Sequence, residues 1–394
     1  MSQKDVVICS GARTPIGSFQ GALSALSASD LGGVVINEAV KRAGAKREDV
    51  ERAFMGNVLP AGMGQAPARQ AVIKAGLPVS VGAVTLNKVC GSGLQAVMFA
   101  RREILVGDAD VLVAGGMESM TNAPYCLPNA RGGYRMGNGE IVDTMIHDGL
   151  WDPYDDMHMG NCGDMVAEKY GFTRQDQDAF AAESYRRAQA AQQGGKFKGE
   201  IVPVSVPQRR GEPLLVDEDE EPKRIQFDKM AGLRAAFSRE GTVTAANAST
   251  LNDGAAALLV TSADVARERG YSVLARIVAD SSAAVEPKWF TVAPVEALKK
   301  LYEKSGTGAQ DWDLYEINEA FSGVTMAAMK EHGIDHDRVN VHGGAVSLGH
   351  PIGCSGARVL VTLLYALKER GQKTGIATLC IGGGEAVALG VELV

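Results

Sequence analysis

The N-terminal third of the chain alternates short apolar runs with segments of helical periodicity. The apolar runs are VVICSG, AFMGNVL, VGAVTLN and VLVAGG, and the segments between them predict helices over 30–43, 67–75 and 93–105. Apolar strands joined through helices are typical of a largely parallel sheet that is covered by helices. This part of the chain therefore predicts an α/β fold.

The pattern breaks near residue 121 and resumes near residue 248. The segment between carries loops, a long polar helix predicted over 173–193 and an acidic run over 217–221. The later alternation predicts helices over 295–305, after 321 and over 355–370, and strands in AAALLVTS, LARIVAD, DLYEIN, RVNVHGG, TGIATLCIGG and AVALGVELV. We predict three parts, which are an N-terminal half of 1–120 completed by 248–272, an inserted loop domain of 121–247, and a C-terminal half of 273–394.

Two segments hint at an internal duplication. VLVAGGMES at 111–119 and ATLCIGGGEA at 377–386 both consist of a predicted buried strand, a glycine pair and a glutamate. Because a strand followed by glycines is common in any α/β protein, these two segments alone leave the duplication open.

Composition narrows the class of protein. The 394 residues are 45% hydrophobic and 22% charged, which indicates an ordered globular chain. The formal net charge of −7 provides no global basic field for nucleic acid or an anionic membrane. The start of the chain lacks a signal-peptide pattern, no later run approaches the roughly 18 apolar residues of a membrane span, and the six cysteines form no C-x-x-C pair. We therefore expect a soluble cytoplasmic protein in a reducing compartment.

A cysteine stands directly before a Gly-Ser-Gly turn at the start of a predicted helix. This is Cys90 in NKVCGSGLQAV, residues 87–97. The dipole at a helix N-terminus favours a thiolate, and glycines let a substrate carbonyl approach the backbone. Cys90 is a candidate nucleophile, and the alternative is a small buried cysteine at a strand-to-helix turn.

The same segment has a second interpretation. Residues 91–96 match the G-x-G-x-x-A dinucleotide fingerprint, and Asp108 and Asp110 lie near the spacing expected for a ribose-binding acid. The motif lies well inside the chain instead of in the first βα turn, and a pyrophosphate site does not require a preceding cysteine. A nicotinamide-dependent dehydrogenase is therefore the less favoured alternative.

A histidine stands among glycines and a proline in NVHGGAVSLGHPIGCSGAR, residues 340–358. Pro351 and the glycines predict an irregular backbone around His350, which is costly for a loop that only connects two elements. His350 is therefore a candidate acid, base or oxyanion donor. The His-x-x-x-Cys spacing to Cys354 resembles a pair of metal ligands, but no second pair follows it.

Polar or reactive residues also end two predicted strands of the C-terminal half. Cys380 precedes three glycines in TLCIGGGE, and Asn318 follows an apolar strand in YEINEAF. Ligand sites of α/β proteins form at such strand ends, although each residue alone also fits a core or capping role.

Together these segments resemble those of the thiolase family over essentially the whole chain. Residues 87–97 are similar to the nucleophile segment of the family, and residues 343–356 to its histidine segment. CIGGG at 380–384 resembles its second-cysteine segment, and NEAF at 318–321 its fourth segment. The resemblance implies two similar βαβαβαββ halves in a five-layered α/β/α/β/α body, with a loop domain inserted in the first half. It also raises the expectation of an internal duplication.

The resemblance implies an acetyl-CoA C-acetyltransferase, which condenses two acetyl-CoA to acetoacetyl-CoA and CoA or runs the reverse thiolysis. Cys90 would be acylated after activation by His350, and Cys380 would be the acid or base at the α-carbon. One oxyanion hole would combine His350 with a water held by Asn318, and the other the backbone N–H groups of Cys90 and Gly382. No metal is required for these steps. The alternatives are a broader 3-ketoacyl-CoA thiolase of fatty-acid β-oxidation and a non-catalytic acyl-CoA-binding protein of the same fold.

Other positions resemble the ligand contacts of the family. The CoA contacts would be Leu150, His158, Met159, Arg224, Lys229, Phe237, Ala245, Ser249 and Phe321. EGTVTAANASTLNDGAAAL and AVEPKWFTVAP resemble a potassium-activated subgroup that accepts 2-methyl-branched substrates, although Thr291 replaces the proline expected after Phe290. Potassium would lie at Tyr185, Ala245, Ala246, Ala248 and Val346. Residues 121–147 resemble a tetramerisation loop, so we expect a homotetramer whose small-molecule partners are acyl-CoAs.

Overall fold

The computed structural model describes residues 5–394, and its first elements follow the predicted alternation. They are β1 (Val6–Arg13), β2 (Gly17–Ser18), α1 (Ala28–Ala43), β3 (Arg52–Gly56), α2 (Pro67–Lys74), β4 (Gly82–Leu86), α3 (Ser92–Val106) and β5 (Val111–Ser119). Local sequence sets the ends of α1. Ser27 and Asp30 form a capping box at its start, and Gly44 ends it with a φ of 73°.

Short strands and loops follow, with one long helix among them. The elements are β6 (Tyr125–Cys126), β7 (Val142–Asp143), α4 (Thr144–Gly149), β8 (Trp151–Asp152), β9 (Met157–His158), α5 (Met159–Tyr170), α6 (Arg174–Gln193), β10 (Val204–Val206), β11 (Leu214–Val216) and α7 (Phe227–Met230). The predicted polar helix is α6, which begins at a capping box of Thr173 with Asp176. Every helix within residues 5–394 is too short or too polar to span a bilayer.

The alternation then resumes to the end of the chain. The elements are β12 (Asn252–Ser262), α8 (Ala263–Arg269), β13 (Ala275–Ala284), α9 (Ala293–Ser305), β14 (Leu314–Ile317), α10 (Ser322–His332), α11 (Ala345–Leu348), α12 (Ile352–Arg370), β15 (Thr374–Ile381) and β16 (Glu385–Leu393). The helix predicted from 355 begins three residues earlier, directly after Pro351.

The prediction of a strand in RVNVHGG is wrong, because this segment makes only an isolated bridge to the sheet. Val339 makes one parallel bridge to Tyr315, and Asn340 then takes a φ of 47°. The Asn340 side chain replaces the missing backbone partner, because Oδ1 accepts from the N–H of Ile317 at 2.9 Å and Nδ2 donates to its carbonyl at 2.8 Å. The edge of β14 is thus satisfied by a side chain, while the backbone leaves the sheet towards His350.

Within residues 5–394 the strands join into a mixed ten-stranded sheet in the order β14-β15-β16-β13-β1-β12-β5-β3-β4, with β2 beside β12. β3 is parallel to β4 and β5, and β14 is parallel to β15. β12 is antiparallel to β1 and β5, and β16 is antiparallel to β13 and β15. The sheet is therefore mixed where a largely parallel one was predicted, because a glycine turn and not a helix connects β15 to β16.

The sheet divides into an N-terminal set of strands, β4-β3-β5-β12-β1, and a C-terminal set, β13-β16-β15-β14. The two sets meet where β1 pairs with β13 through Val7–Arg276 and Ile8–Ala275. Counted outwards from this pair, the strand order repeats, since β1-β12-β5 corresponds to β13-β16-β15. β12 pairs with β5 and β1, which is why we propose that 248–272 completes the N-terminal half. The boundaries of the three parts stay a prediction.

Three apolar clusters show how the layers stack. One face of the N-terminal strands packs on α1 and α2, for example Val113 with Val35 and Val72. Their other face shares a core with the C-terminal strands and the central helices, for example Leu258 and Leu379 with Leu94 of α3 and Leu360 of α12. The far face of the C-terminal strands packs on α9 and α10. The order is helix, sheet, helix, sheet, helix, so the five-layered α/β/α/β/α fold is confirmed.

Candidate active site

Cys90 lies in a tight turn between β4 and α3. The preceding Val89 has a φ of 44°, which β-branched residues rarely adopt. The Ser92 hydroxyl accepts from the N–H of Lys88 at 2.8 Å and donates to the carbonyl of Val89 at 2.7 Å, and the Asn87 side chain accepts from the N–H of Val89 at 2.8 Å. Because these hydrogen bonds maintain a strained residue, the backbone holds Cys90 in one position.

Burial decides the protonation state of Cys90. The residue is 6% exposed, and burial raises the pKa of its thiol to about 11, against smaller opposing effects of hydrogen bonds from the backbone N–H groups of Gly382 and of Cys90 itself. The helix N-terminus that was expected to favour a thiolate is therefore outweighed by desolvation. Cys90 is a neutral thiol at pH 7 and needs a base.

This protonation state predicts how Cys90 reacts with a simple alkylating agent. Because the thiolate fraction grows as the pH approaches the pKa of about 11, the rate of alkylation by iodoacetamide should rise about tenfold per pH unit between pH 7 and 9. The rate is read from the Cys90 peptide by mass spectrometry, with the exposed Cys126 as an internal reference. A rate that is constant across this range would contradict the prediction, because it would show a thiolate already formed.

Two buried side chains hold the backbone around His350. The N–H of His350 donates to Asn252 Oδ1 at 2.9 Å, and the N–H of Gly353 donates to Glu118 Oε2 at 2.9 Å. Gly349 precedes the histidine with a φ of 103°, and a Cβ there would lie 2.4 Å from Cγ of Asn252. Only glycine allows Asn252 to approach this closely.

The imidazole of His350 is neutral. Its pKa falls to about 3, first because the ring is buried and second because of the Arg358 cation. Its Nδ1 lies 2.6 Å from the Ser355 hydroxyl. Its Nε2 has no hydrogen-bond partner among residues 5–394. A neutral ring with a free nitrogen fits a base for a neutral thiol.

Asn318 and Cys380 come from the neighbouring parallel strands β14 and β15. The N–H of Asn318 donates to the carbonyl of Thr378 at 3.0 Å, and Asn318 Nδ2 lies 3.5 Å from His350 Nδ1. The pKa of the fully buried Cys380 is raised well above its usual value, first by burial and then by Cys90. The two sulfurs are thus close enough to affect each other's ionisation.

Gly382 completes this group from the turn between β15 and β16. Its backbone N–H lies close enough to the Cys90 thiol to oppose the effect of burial on the pKa of that thiol. A Cβ on Gly382 would lie 2.1 Å from Cε of Met159, so the flexible Met159 side chain would have to move aside for any larger residue. The five residues that sequence predicted for catalysis therefore converge on one place, where a thiol, a neutral imidazole and backbone N–H groups can serve acyl transfer.

A cavity of about 570 Å³ reaches His350. Eight of the nine predicted CoA positions line it, namely Leu150, His158, Met159, Arg224, Phe237, Ala245, Ser249 and Phe321. Lys229 does not belong to this lining. It is exposed on the short α7, where Met230 is the residue turned into the core.

Aromatic rings form part of the cavity wall. His158 stacks on Phe237 with ring centroids 4.6 Å apart, and Phe237 meets Phe321 edge to face at 6.2 Å. Phe290 packs in the same apolar cluster as Phe321 and Cys380. This wall is apolar and preformed, as expected of a site for a small acyl group and its thioester arm.

Sequence reasoning missed several wall and anchor residues. Apolar wall residues that the sequence did not single out are Phe19, Met120, Met145, Leu251 and Ile352. Sequence reasoning also missed Asn252, Glu118 and Ser355, whose side chains hydrogen-bond to His350 or to the backbone beside it. Asn252 and Glu118 are polar residues at the ends of apolar runs, and Ser355 stands within the glycine-rich histidine segment, so buried polar residues beside a motif were the available signal.

The five positions that resemble potassium ligands lie in three different places in the structure. Tyr185, Ala246 and Val346 share one buried cluster, Ala245 lines the cavity, and Ala248 pairs with Phe321 through a bridge. The pKa of the Tyr185 phenol is raised, first by burial and then by the carboxylates of Glu221 and Glu319. Oxygen donors beside carboxylates fit a hard cation. Among residues 5–394 no group of three or more His, Cys, Asp or Glu side chains is arranged to hold a metal.

Comparison with known proteins agrees with this architecture. Residues 6–264 match the family model "Thiolase, N-terminal domain", and residues 271–393 match "Thiolase, C-terminal domain". An acetyl-CoA acetyltransferase of Cupriavidus necator is 54% identical over 98% of this chain and 99% of that protein. A mitochondrial acetyl-CoA acetyltransferase A of Xenopus laevis is 50% identical over 98% of this chain and 92% of its own length.

A solved structure is similar along the whole chain. The crystal structure of the Bacillus anthracis acetyl-CoA acetyltransferase has a TM-score of 0.97 and 42% sequence identity, and the match covers 100% of this chain and 99% of that one. Both family models, the full-length relatives and the five-layered fold lead to one conclusion: the chain belongs to the thiolase family.

Proposed function

We propose that this enzyme is an acetyl-CoA acetyltransferase, which condenses two acetyl-CoA to acetoacetyl-CoA and CoA and catalyses the reverse thiolysis. The observation that carries the proposal is the pair of buried thiols, Cys90 and Cys380, together with the neutral His350, which contacts Asn318 at the end of the strand next to that of Cys380. One thiol can hold an acyl group while the other exchanges a proton with carbon. The proposal is supported by relatives named acetyl-CoA acetyltransferase whose sequences are 50% and 54% identical to this chain over 98% of its length.

The first step transfers the acetyl group to Cys90. As Sγ attacks the thioester carbonyl, the thiol proton passes to Nε2 of His350, which is neutral and has no partner in residues 5–394. Negative charge develops on the carbonyl oxygen, where the backbone N–H groups of Cys90 and Gly382 would donate. His350 then returns the proton to the departing sulfur of CoA. One such oxyanion donor typically contributes about 2.7–4 kcal/mol.

The second step joins the acetyl group to a second acetyl-CoA. Cys380, as the thiolate, would remove a proton from the methyl carbon, and the resulting enolate would attack the carbonyl of acetylated Cys90 to form the carbon–carbon bond. The carbon–sulfur bond to Cys90 would then break, and the proton held by Cys380 would pass to the departing sulfur of Cys90. Because burial raises the pKa of Cys380, its thiolate is a strong base and its thiol is a suitable proton donor in thiolysis. His350 and a water held by Asn318 would stabilise the enolate oxygen.

The experiment that tests the proposal is CoA-dependent cleavage of 3-ketoacyl-CoAs of increasing chain length. We expect acetoacetyl-CoA to be cleaved at least about tenfold faster than the six-carbon and longer substrates, which is within the range for one or two methylenes in a closed pocket. Equal or better rates on long chains would instead identify a general β-oxidation thiolase. Absence of cleavage with any substrate would favour the acyl-CoA-binding protein.

The same assay tests potassium and branched substrates. No cofactor is proposed to be required, because thiols, imidazole and backbone N–H groups perform each step above. If potassium binds at the five predicted positions, Tyr185, Ala245, Ala246, Ala248 and Val346, KCl should raise the rate above that in NaCl at equal ionic strength. Turnover of 2-methylacetoacetyl-CoA would assign the branched-chain subgroup, in which Phe290 would contact the methyl group.

Assembly, location and metabolic role remain predictions. We propose a homotetramer, because residues 121–147 present exposed apolar side chains, among them Tyr125, Ile141 and the 95% exposed Met136. Light scattering should then give four times the monomer mass. The cytoplasmic location and the role in fatty acid metabolism that the sequence suggested also stay predictions.

A further inference from the structure

Two turns supply the N–H groups proposed for the oxyanion hole of the first step. One is the turn of residues 87–91 that carries Cys90, and the other is the turn of residues 382–384 between β15 and β16. The two turns pack against each other, because a Cβ on Gly91 would lie 2.3 Å from Cδ1 of Ile381. Two donors stabilise one oxyanion only when both point at it, so the position of one turn relative to the other matters for catalysis.

The second turn consists of three glycines, which restrain its backbone little. Gly383 and Gly384 have φ values of 88° and 86°, which glycine adopts readily, but glycine also leaves more alternative conformations open than any other residue. The N–H of Val285 donates to the carbonyl of Gly384 at 2.7 Å. This hydrogen bond attaches the glycine turn to the segment after β13 and not to the turn that carries Cys90.

An ion pair joins the glycine turn to the turn that carries Cys90. Nζ of Lys88 donates to Oε2 of Glu385, the residue directly after Gly384. Both side chains are partly exposed, Lys88 by 25% and Glu385 by 39%. The backbone N–H of Lys88 is itself held by the Ser92 hydroxyl at 2.8 Å. The ion pair therefore connects a turn that is fixed by hydrogen bonds to a turn with few restraints.

We propose that Lys88 and Glu385 are positioning residues whose ion pair holds the N–H of Gly382 in register with the N–H of Cys90. The inference rests on the proposed acetyl transfer to Cys90. Neither Lys88 nor Glu385 is among the described residues that line the cavity, so the pair acts through the backbone of the two turns and does not touch the substrate.

The test measures the burst of CoA released from acetyl-CoA in Lys88→Met, in Glu385→Gln and in the double variant. Each substitution keeps the length of the side chain and removes its charge. All three variants should acylate about two- to fivefold more slowly, the range that a partly exposed ion pair can account for. The double variant should be no slower than either single variant, because the first substitution already breaks the pair. The KM for acetyl-CoA should stay unchanged.

The direction of the change separates positioning from the electric field of the two charges. A lysine near an oxyanion stabilises it, whereas a glutamate destabilises it. If the field alone acted, Lys88→Met would slow acylation, Glu385→Gln would accelerate it, and the rate of the double variant would lie between the two. If the ion pair positions the turn, both single variants are slower than the unmodified enzyme.

Alkylation of Cys90 by iodoacetamide separates the oxyanion hole from a disturbance of the cysteine itself. Alkylation requires the thiolate but forms no oxyanion. In the double variant, from which one charge of each sign is removed, the alkylation rate should therefore fall by less than the acylation rate. Equal falls would show that the substitutions act on Cys90 and not on the donors to the carbonyl oxygen.

Two further variants serve as rescue and control. Lys88→Arg keeps the positive charge opposite Glu385 and should acylate like the unmodified enzyme. Glu392→Gln removes a carboxylate from the same strand β16, where Glu392 pairs with Arg276 and both side chains are 40% exposed. This variant loses a similar ion pair away from the two turns, so its acylation rate should not change.

Each outcome bears on the inference. Slower acylation in all three variants, with a smaller effect on alkylation, supports it. Opposite effects of the two single variants, an unchanged rate in the double variant, or equal falls in acylation and alkylation would overturn it. Failure of the unmodified enzyme to release CoA from acetyl-CoA would overturn the proposed function instead, so the two failures are distinguishable.

Discussion

The Cys90→Ser variant is expected to lose thiolysis and condensation together, by on the order of 10⁴-fold or more. A serine hydroxyl is much less acidic than a thiol, so the neutral imidazole of His350 takes its proton far less readily. The exchange changes one atom and keeps the packing of the 6% exposed side chain. The loss should therefore be chemical and not structural.

Radioactive acetyl-CoA provides the direct measurement for this variant. The unmodified enzyme should retain label after denaturation, and Cys90→Ser should not. Cys9→Ser is the matched control, because Cys9 is equally buried but lies on β1 in the outer core of the N-terminal half. Full turnover by Cys90→Ser, or label retained on it at the level of the control, would refute the assignment of Cys90 as nucleophile.

Cys380→Ser should have the second large effect, but on a different step. It should become labelled by acetyl-CoA about as fast as the unmodified enzyme, while condensation falls by about 10²–10⁴-fold, the usual contribution of a general base. The physical reason is that a hydroxyl cannot exchange the α-proton as a buried thiol can. Stopped-flow labelling and steady-state condensation measure the two steps separately.

Cys162→Ser is a suitable control for that experiment. Cys162 is fully buried in the same apolar cluster as Cys380, but it belongs to α5 and not to a motif segment. The Cys162→Ser variant should catalyse condensation at the rate of the unmodified enzyme if the effect of Cys380→Ser depends on the position of Cys380. Equal loss of labelling and condensation in Cys380→Ser would mean that Cys380 also serves the first step, contrary to the division of roles proposed here.

The periodicity of apolar residues predicted most of the fold, because strands and helices bury apolar faces with different repeats. The strand predicted around Val339 failed for a reason that periodicity does not contain. The Asn340 side chain, and not a continued backbone, bonds to Ile317. The antiparallel direction of β12 likewise depends on partners more than 130 residues away, such as Ser119 for Asp253.

Motifs located the reactive residues of the site, since a nucleophile or a base requires a particular side chain in a particular local backbone. They did not predict the protonation states. The helix N-terminus favours a thiolate at Cys90 and the resemblance implied that Cys90 needs a base, but the sequence did not indicate that burial raises the pKa of Cys90 to about 11 and lowers that of His350 to about 3. Desolvation depends on everything packed around a group, so it is a property of the assembled layers.

The sequence by itself determined the alternation of elements, the thiolase resemblance, and the identities of Cys90, His350, Asn318 and Cys380 as chemistry-bearing residues. Only the tertiary structure decided that Lys229 lies outside the cavity, and that Asn252, Glu118 and Ser355 hold the histidine. The division has one physical reason. Residue type and local backbone preferences are written along the chain, whereas burial and hydrogen-bond partners arise when distant segments pack together.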